Sequence, residues 1–141
     1  MKVGNILISS ASGKISLLRA AKDATLKIDP EIKIVAGDLD PTALARYAAD
    51  YFWQMPETTE AEVTKLLKGC KERDIRAILP TRDGELVFWA RQKKLFAENN
   101  IAVLVSASAS IERCLDKLAF SDFALRICAI VPPICGITPI E

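Results

Sequence analysis

The sequence contains no histidine. A serine or cysteine nucleophile activated by histidine, a histidine-ligated zinc and a histidine general base are therefore excluded from this chain acting alone. Its four cysteines, Cys70, Cys114, Cys128 and Cys135, include no Cys-x-x-Cys pair. Neither a zinc knuckle nor a dithiol redox motif is present, and the four are expected to be buried free thiols in a reducing cytosol. Charge of one sign is also missing: 19 Lys and Arg face 18 Asp and Glu, for a net charge of +1, and basic stretches stop at pairs such as Lys93-Lys94. Electrostatic binding to nucleic acid or to an anionic membrane is not expected. No apolar run approaches the roughly 18 residues of a membrane helix. The opening segment is too short for a secretory core and has no small-residue cleavage site behind it. The expected location is the cytoplasm.

What the chain does have is a hydrophobic half, a 26% charged fraction and 141 residues, enough for one packed domain and too few for two. Apolar runs alternate with helical periodicity. Val3 to Ser9, with Ile6, Leu7 and Ile8 consecutive, Ile32 to Ala36, Ile75 to Leu79 and the wholly apolar Ile101 to Val105 are short strand patterns of the kind covered on both faces of a sheet. Between them, Ile15, Leu18, Ala21 and Ala24 predict a helix that stops at Asp29-Pro30, and Thr42 to Ala49 predicts a short alanine-rich one. An aromatic stretch, Tyr51-Phe52-Trp53, leads to Pro56. Thr59 and Glu62 have capping-box spacing for a helix through Cys70, and Leu86 to Phe96 predicts another that closes at Asn99-Asn100. This alternation predicts an α/β fold, a Rossmann-like parallel sheet with helices on both faces. A single helix over Leu115 to Cys128 and an extended, proline-stiffened segment from Val131 are expected to follow. The expected division is 1–113 for the sheet domain and 114–141 for helix and linker.

In such sheets ligands bind outside the carboxyl ends of the strands. The loops gathered there are Ser9 to Lys14, Asp38 to Pro41, Pro80 to Glu85 and Ser106 to Ser110. The first lacks the G-x-G-x-x-G fingerprint of dinucleotide folds, offering one glycine, Gly13, and three hydroxyls, Ser9, Ser10 and Ser12. Ser12 and Gly13 fit a turn and helix cap as well as they fit a phosphate or carboxylate site. Asp38 and Asp40 stand where a dinucleotide enzyme keeps its ribose acid, and Asp40 before Pro41 is as readily a turn former. Asp83 and Glu85 either complement a helix N-terminus or meet a substrate ammonium at the mouth of the crevice. Trp53 and Trp89 are read as core or interface.

In order along the chain, Asn5-Ile6-Leu7-Ile8-Ser9-Ser10-Ala11-Ser12-Gly13, Gly37-Asp38-Leu39-Asp40, Ala49-Asp50, Pro56, Leu79-Pro80-Thr81-Arg82-Asp83-Gly84-Glu85-Leu86 and Asp116-Lys117 resemble one family. It is the N-terminal pre-ATP-grasp domain of ATP-grasp ligases, of the branch similar to the carbamoyl-phosphate synthase large subunit. The resemblance implies an enzyme that uses ATP and magnesium to activate a carboxylate as an acyl phosphate, captured by an amine or other nucleophile, chemistry that needs no histidine. It also implies that Lys117 contacts the nucleotide phosphates. Ser12, Gly13, Asp38, Asp83 and Glu85 become candidates for binding the carboxylate or amine substrate.

The family's clasping core and its acidic magnesium ligands have no counterpart in these residues. The chain alone is thus expected neither to hold ATP and magnesium stably nor to turn ATP over. The rival reading is a free-standing Rossmann-like module that binds a small anion or nucleotide without catalysis. A homodimer through the C-terminal helix and tail is a further expectation, because Phe123, Ile127 and Ile134 lack a partner in the predicted layout.

Overall fold

The computed structural model describes residues 4–129. They fall into two compact units that divide between Val105 and Ser106. The first unit is built from β1 (Asn5–Ser9), α1 (Ile15–Ile28), β2 (Ile34–Asp38), β3 (Tyr51–Gln54), α2 (Val63–Glu72), β4 (Ile75–Pro80), α3 (Asp83–Glu98) and β5 (Ala102–Val103). All pairings are parallel and the strand order is β3-β2-β1-β4-β5. The predicted α/β class and the doubly covered sheet are what the structure shows.

Neighbouring strand residues point to opposite faces, and the two cores divide accordingly. Leu7 and Val35 join Leu66, Cys70, Trp89 and Phe96 of α2 and α3, whereas Ile8, Ile34 and Ala36 join Leu18 of α1. Both tryptophans belong to the first of these cores, with Trp89 fully buried and Trp53 nearly so. Trp53 packs against α2 at Gly69, where a Cβ would overlap its ring.

Several local expectations change. Tyr51 to Gln54 is a strand rather than a connecting stretch, paired with β2 in the register Val35↔Tyr51 to Asp38↔Gln54. Its start is fixed by Asp50, whose Oδ2 accepts the Ile34 N–H at 2.9 Å. The alanine-rich segment makes one 3-10 turn, Leu44–Tyr47, instead of an α-helix. The capping box at Thr59 is not formed: Thr59 makes no side-chain cap bond, and Glu62 pairs with Lys65 at 2.9 Å. Of the described cysteines Cys70 alone is buried, and Cys114 and Cys128 are exposed free thiols.

The second unit contains α4 (Ser108–Leu115) and α5 (Lys117–Arg126). The expected single helix over this region is broken at Asp116, whose extended backbone (φ −86°, ψ 105°) ends α4. Its side chain caps α5 by accepting from Leu118 N–H at 2.9 Å and Ala119 N–H at 3.0 Å. Arg113 stacks on Phe123 at 4.5 Å, and Leu118, Leu125 and Ile127 are exposed. The extended segment expected from Val131, with Ile134, lies outside the described residues. Among the described residues no helix is long and apolar enough to cross a membrane.

Candidate functional site

In the order β3-β2-β1-β4-β5 the chain winds outward in one direction through β2 and in the other through β4. The carboxyl ends of β1 and β4 therefore flank a topological switch point, the place where open parallel sheets take ligands. Ser9 and Pro80 are register partners at that edge. The loops beyond them are bolted together. Thr81 Oγ1 lies 2.7 Å from Ser9 O and 3.0 Å from Ser10 O.

Beneath this junction sits Glu85, fully buried in the first turn of α3. Its Oε1 accepts from Ser9 Oγ at 2.9 Å, Thr81 N–H at 3.2 Å and, at 3.4 Å, Arg82 N–H. Its Oε2 accepts from the Trp89 indole N–H at 3.1 Å. A carboxylate this deep is tolerable only when its lone pairs are met by donors, and here each oxygen is. One side chain thus holds the ends of β1 and β4, the start of α3 and the tryptophan core in one arrangement.

The opposite wall is organised by Asp38. Its Oδ2 accepts the Ser12 N–H at 2.8 Å and its Oδ1 the Asp40 N–H at 3.1 Å, while Ala11 N–H donates to Gly37 O at 3.1 Å. Neither Ser12 nor Gly13 caps α1. That position belongs to Lys14, which makes no side-chain cap bond. Asp40 is a turn former, since its Oδ1 accepts the Thr42 hydroxyl at 2.6 Å and the Thr42 N–H at 2.8 Å. Those two bonds hold its carboxyl below the usual carboxylate range. Between the walls Ser10 adopts φ 49°, a left-handed conformation that a non-glycine residue takes at a cost.

The predicted candidates therefore meet in part. Ser12, Gly13 and Asp38 share the β1 and β2 side, and Asp83 and Glu85 share the first turn of α3, Asp83 exposed and Glu85 internal. A narrow cleft between the two sides is lined by Ser10, Asp38, Met55, Pro56, Thr58 and Arg82. Arg82 is the functional candidate that sequence reasoning passed over. Its signal was its place two residues beyond a buried strand, in the exit loop next to Asp83. Lys117 opens α5 in the second unit. Among the described residues no three His, Cys, Asp or Glu side chains converge in a way that could hold a metal ion.

Solved structures share this architecture. The N5-carboxyaminoimidazole synthetase from Staphylococcus aureus, complexed with ADP, superposes with a TM-score of 0.62 at 18% identity, over 92% of this chain and 31% of that one. The biotin carboxylase domain of a single-chain bacterial carboxylase gives 0.64 at 18% identity, over 98% and 32%. The pyruvate carboxylase of Rhizobium etli gives 0.62 at 18% identity, over 95% and 13%. The chain thus spans about a third or less of these proteins. At such identities the likeness shows the fold alone, a parallel α/β sheet shared with part of each of these proteins. The family itself is shown by sequence: residues 6–104 match the PylC-like, N-terminal domain profile, and the chain belongs to that family. No curated protein matches the sequence.

Proposed function

We propose that this chain supplies one wall of the substrate cleft in an ATP-dependent carboxylate–amine ligase resembling the carbamoyl-phosphate synthase large subunit. The observation that carries the reading is the switch-point cleft itself, with hydroxyl, carboxylate and guanidinium groups presented by loops that a buried hydrogen-bond network holds in place. ATP would supply the phosphoryl group that converts a carboxylate to an acyl phosphate with release of ADP. An amine nitrogen would then attack the acyl carbon and expel phosphate.

This chain's part is binding and orientation. Ser12 and Gly13, on the loop that Asp38 fixes, and the exposed Asp83 would face the substrate, while Glu85 would act from beneath by holding the loops. Lys117 would neutralise phosphate charge. Magnesium would be held by residues beyond the described ones.

The test is the gene product encoded through and past Glu141. ADP release that requires both a carboxylate and an amine, with Lys117→Ala raising the KM for ATP, is the expected result. A downstream sequence without lysine-bearing strands and acidic metal ligands sinks the assignment. A second reading, a small-ligand binding module, is favoured by the self-contained sheet unit. Calorimetry separates the two on the chain itself: tight binding of NAD would replace the ligase reading, whereas weak or absent binding of both NAD and ATP fits it.

A further inference from the structure

We propose that Arg82 is the oxyanion-binding residue of the switch-point cleft, taking two oxygens of a carboxylate or phosphoryl group in its guanidinium fork. The arginines Arg46, Arg73 and Arg76 of the same unit are engaged. Arg46 donates to Pro41 O at 2.8 Å, Arg73 donates to Gly69 O at 3.0 Å and lies 4.6 Å over the Trp53 ring, and Arg76 pairs with Asp74 at 2.9 Å. The Arg82 guanidinium has no hydrogen-bond or ion-pair partner among the described residues, although it lines the cleft. Asp38, the carboxylate lining the cleft with it, has both oxygens engaged by main-chain N–H groups and forms no ion pair with Arg82.

The base of the Arg82 side chain is fixed, because Glu85 accepts its N–H and Thr81 beside it bonds across to β1. The guanidinium lies beside Gly84, where an added Cβ would stand 3.7 Å from Nη1, an ordinary contact distance. Ser10 and Thr58 bring hydroxyl donors to the same cleft, and Leu39, Met55 and Pro56 give it apolar walls that strengthen a charge-assisted bond. The cleft's free volume is about 10 Å³, the room of about one water molecule. Arg82 is exposed where it lines the cleft, so its guanidinium would meet the charged end of a ligand at the surface and not inside an enclosed pocket. A guanidinium fork matches a carboxylate or a phosphoryl group equally well, and the assignment of that anion as the ligase's carboxylate substrate rests on the function proposed above.

The experiment follows the side-chain Nε–H resonances of arginine in the whole chain during separate titrations with propionate and inorganic phosphate at constant ionic strength. Arg82 is expected to shift and saturate in the millimolar range while the exposed Arg19 does not. Tighter binding of propionate identifies a carboxylate site, and tighter binding of phosphate a phosphoryl site. Arg82→Gln, at an exposed position that leaves the fold intact, is expected to weaken binding about tenfold or more, read at the Ser10 and Thr81 amides. Arg82→Lys keeps the charge without the fork, and binding as tight as that of the parent chain would overturn bidentate capture. An Arg82 signal that tracks Arg19 without saturating overturns the site. Binding is read here without ATP, so a failed titration removes the Arg82 site and an inactive gene product removes the ligase reading, each independently.

Discussion

Removing the Glu85 carboxylate tests whether the cleft is held from beneath. Glu85→Ala strands the Ser9 hydroxyl and the Trp89 indole N–H, both fully buried, and also frees the Thr81 N–H. Each stranded buried donor costs about 1–3 kcal/mol, and removing one partner of a buried charged network typically costs about 3–5 kcal/mol in all. Against a total stability of about 5–15 kcal/mol this is a large fraction. Glu85→Gln keeps the shape and one acceptor oxygen. With that oxygen turned to Ser9 and Thr81, its amide meets the Trp89 N–H donor to donor, so an intermediate loss of about 1–3 kcal/mol is expected. Ser9→Ala removes a single bond and should cost about 1 kcal/mol. Urea titration followed by tryptophan fluorescence reads the series directly, since Trp89 is itself a partner. With m near 2 kcal/mol per molar, the Ala variant should lose about 2 M in midpoint. A Glu85→Ala midpoint within about 0.3 M of the parent's, at unchanged m, would refute the network as the clamp of the cleft.

Two glycines should respond in opposite directions. Gly69→Ala drives a methyl into the Trp53 ring and should destabilise by about 1–3 kcal/mol, whereas Gly13, where an added methyl would meet no atom within 4 Å and φ is not positive, should gain up to about 1 kcal/mol as alanine; equal midpoints in urea would contradict both. At Asp50, burial opposes ionisation, but the Lys22 ammonium at 2.9 Å and the Ile34 N–H outweigh it and hold the carboxyl below 3.8. A depressed folded pKa gives stability that is present above the unfolded value and lost as the pH falls through the folded one. The Asp50→Asn variant should therefore show a flatter midpoint-against-pH curve below about pH 4, and an unchanged slope would discount the pair. Burial pushes the Cys70 thiol up to about 12, with the Arg73 charge pulling the other way. Peptide mapping after a thiol reagent at about pH 8 should thus find native labelling at Cys114 and Cys128 and label on Cys70 only after unfolding. Early modification of Cys70 would count against the packing around α2.

Much of the sheet was legible because its signal is local. Ile6-Leu7-Ile8 is a run that needs cover on both faces, and it receives α1 on one and α2 with α3 on the other. Tyr51 to Gln54 escaped as a strand because four residues carry little periodicity, and its identity is decided by β2 and by Asp50 reaching Ile34. Glu85 was legible as a helix-start acid, which it is, but not as a buried hub. That role depends on Ser9, 76 residues away in sequence, and on an indole one turn along α3. The turn of the first loop was read at Ser12 and Gly13, whereas its left-handed residue is Ser10, whose carbonyl Thr81 grips.

That displacement bears on how the cleft works. A glycine-rich phosphate loop gets its shape from residues that tolerate any φ, so its geometry is written locally. Here a serine is held at φ 49° by bonds from another strand's exit loop, and the same loop carries Arg82 at the cleft and Glu85 in the core. Between Arg82 and Glu85 the chain passes from an exposed cation without a partner among the described residues to a fully bonded, buried carboxylate. The carboxylate fixes the backbone from which the cation projects, so the two substitutions differ in kind: substitution of Arg82 acts on binding and leaves the loops held, whereas substitution of Glu85 acts on stability and, through the loops, on binding as well. A loop built in this way needs neither a glycine fingerprint nor histidine to present a preorganised charge at the switch point.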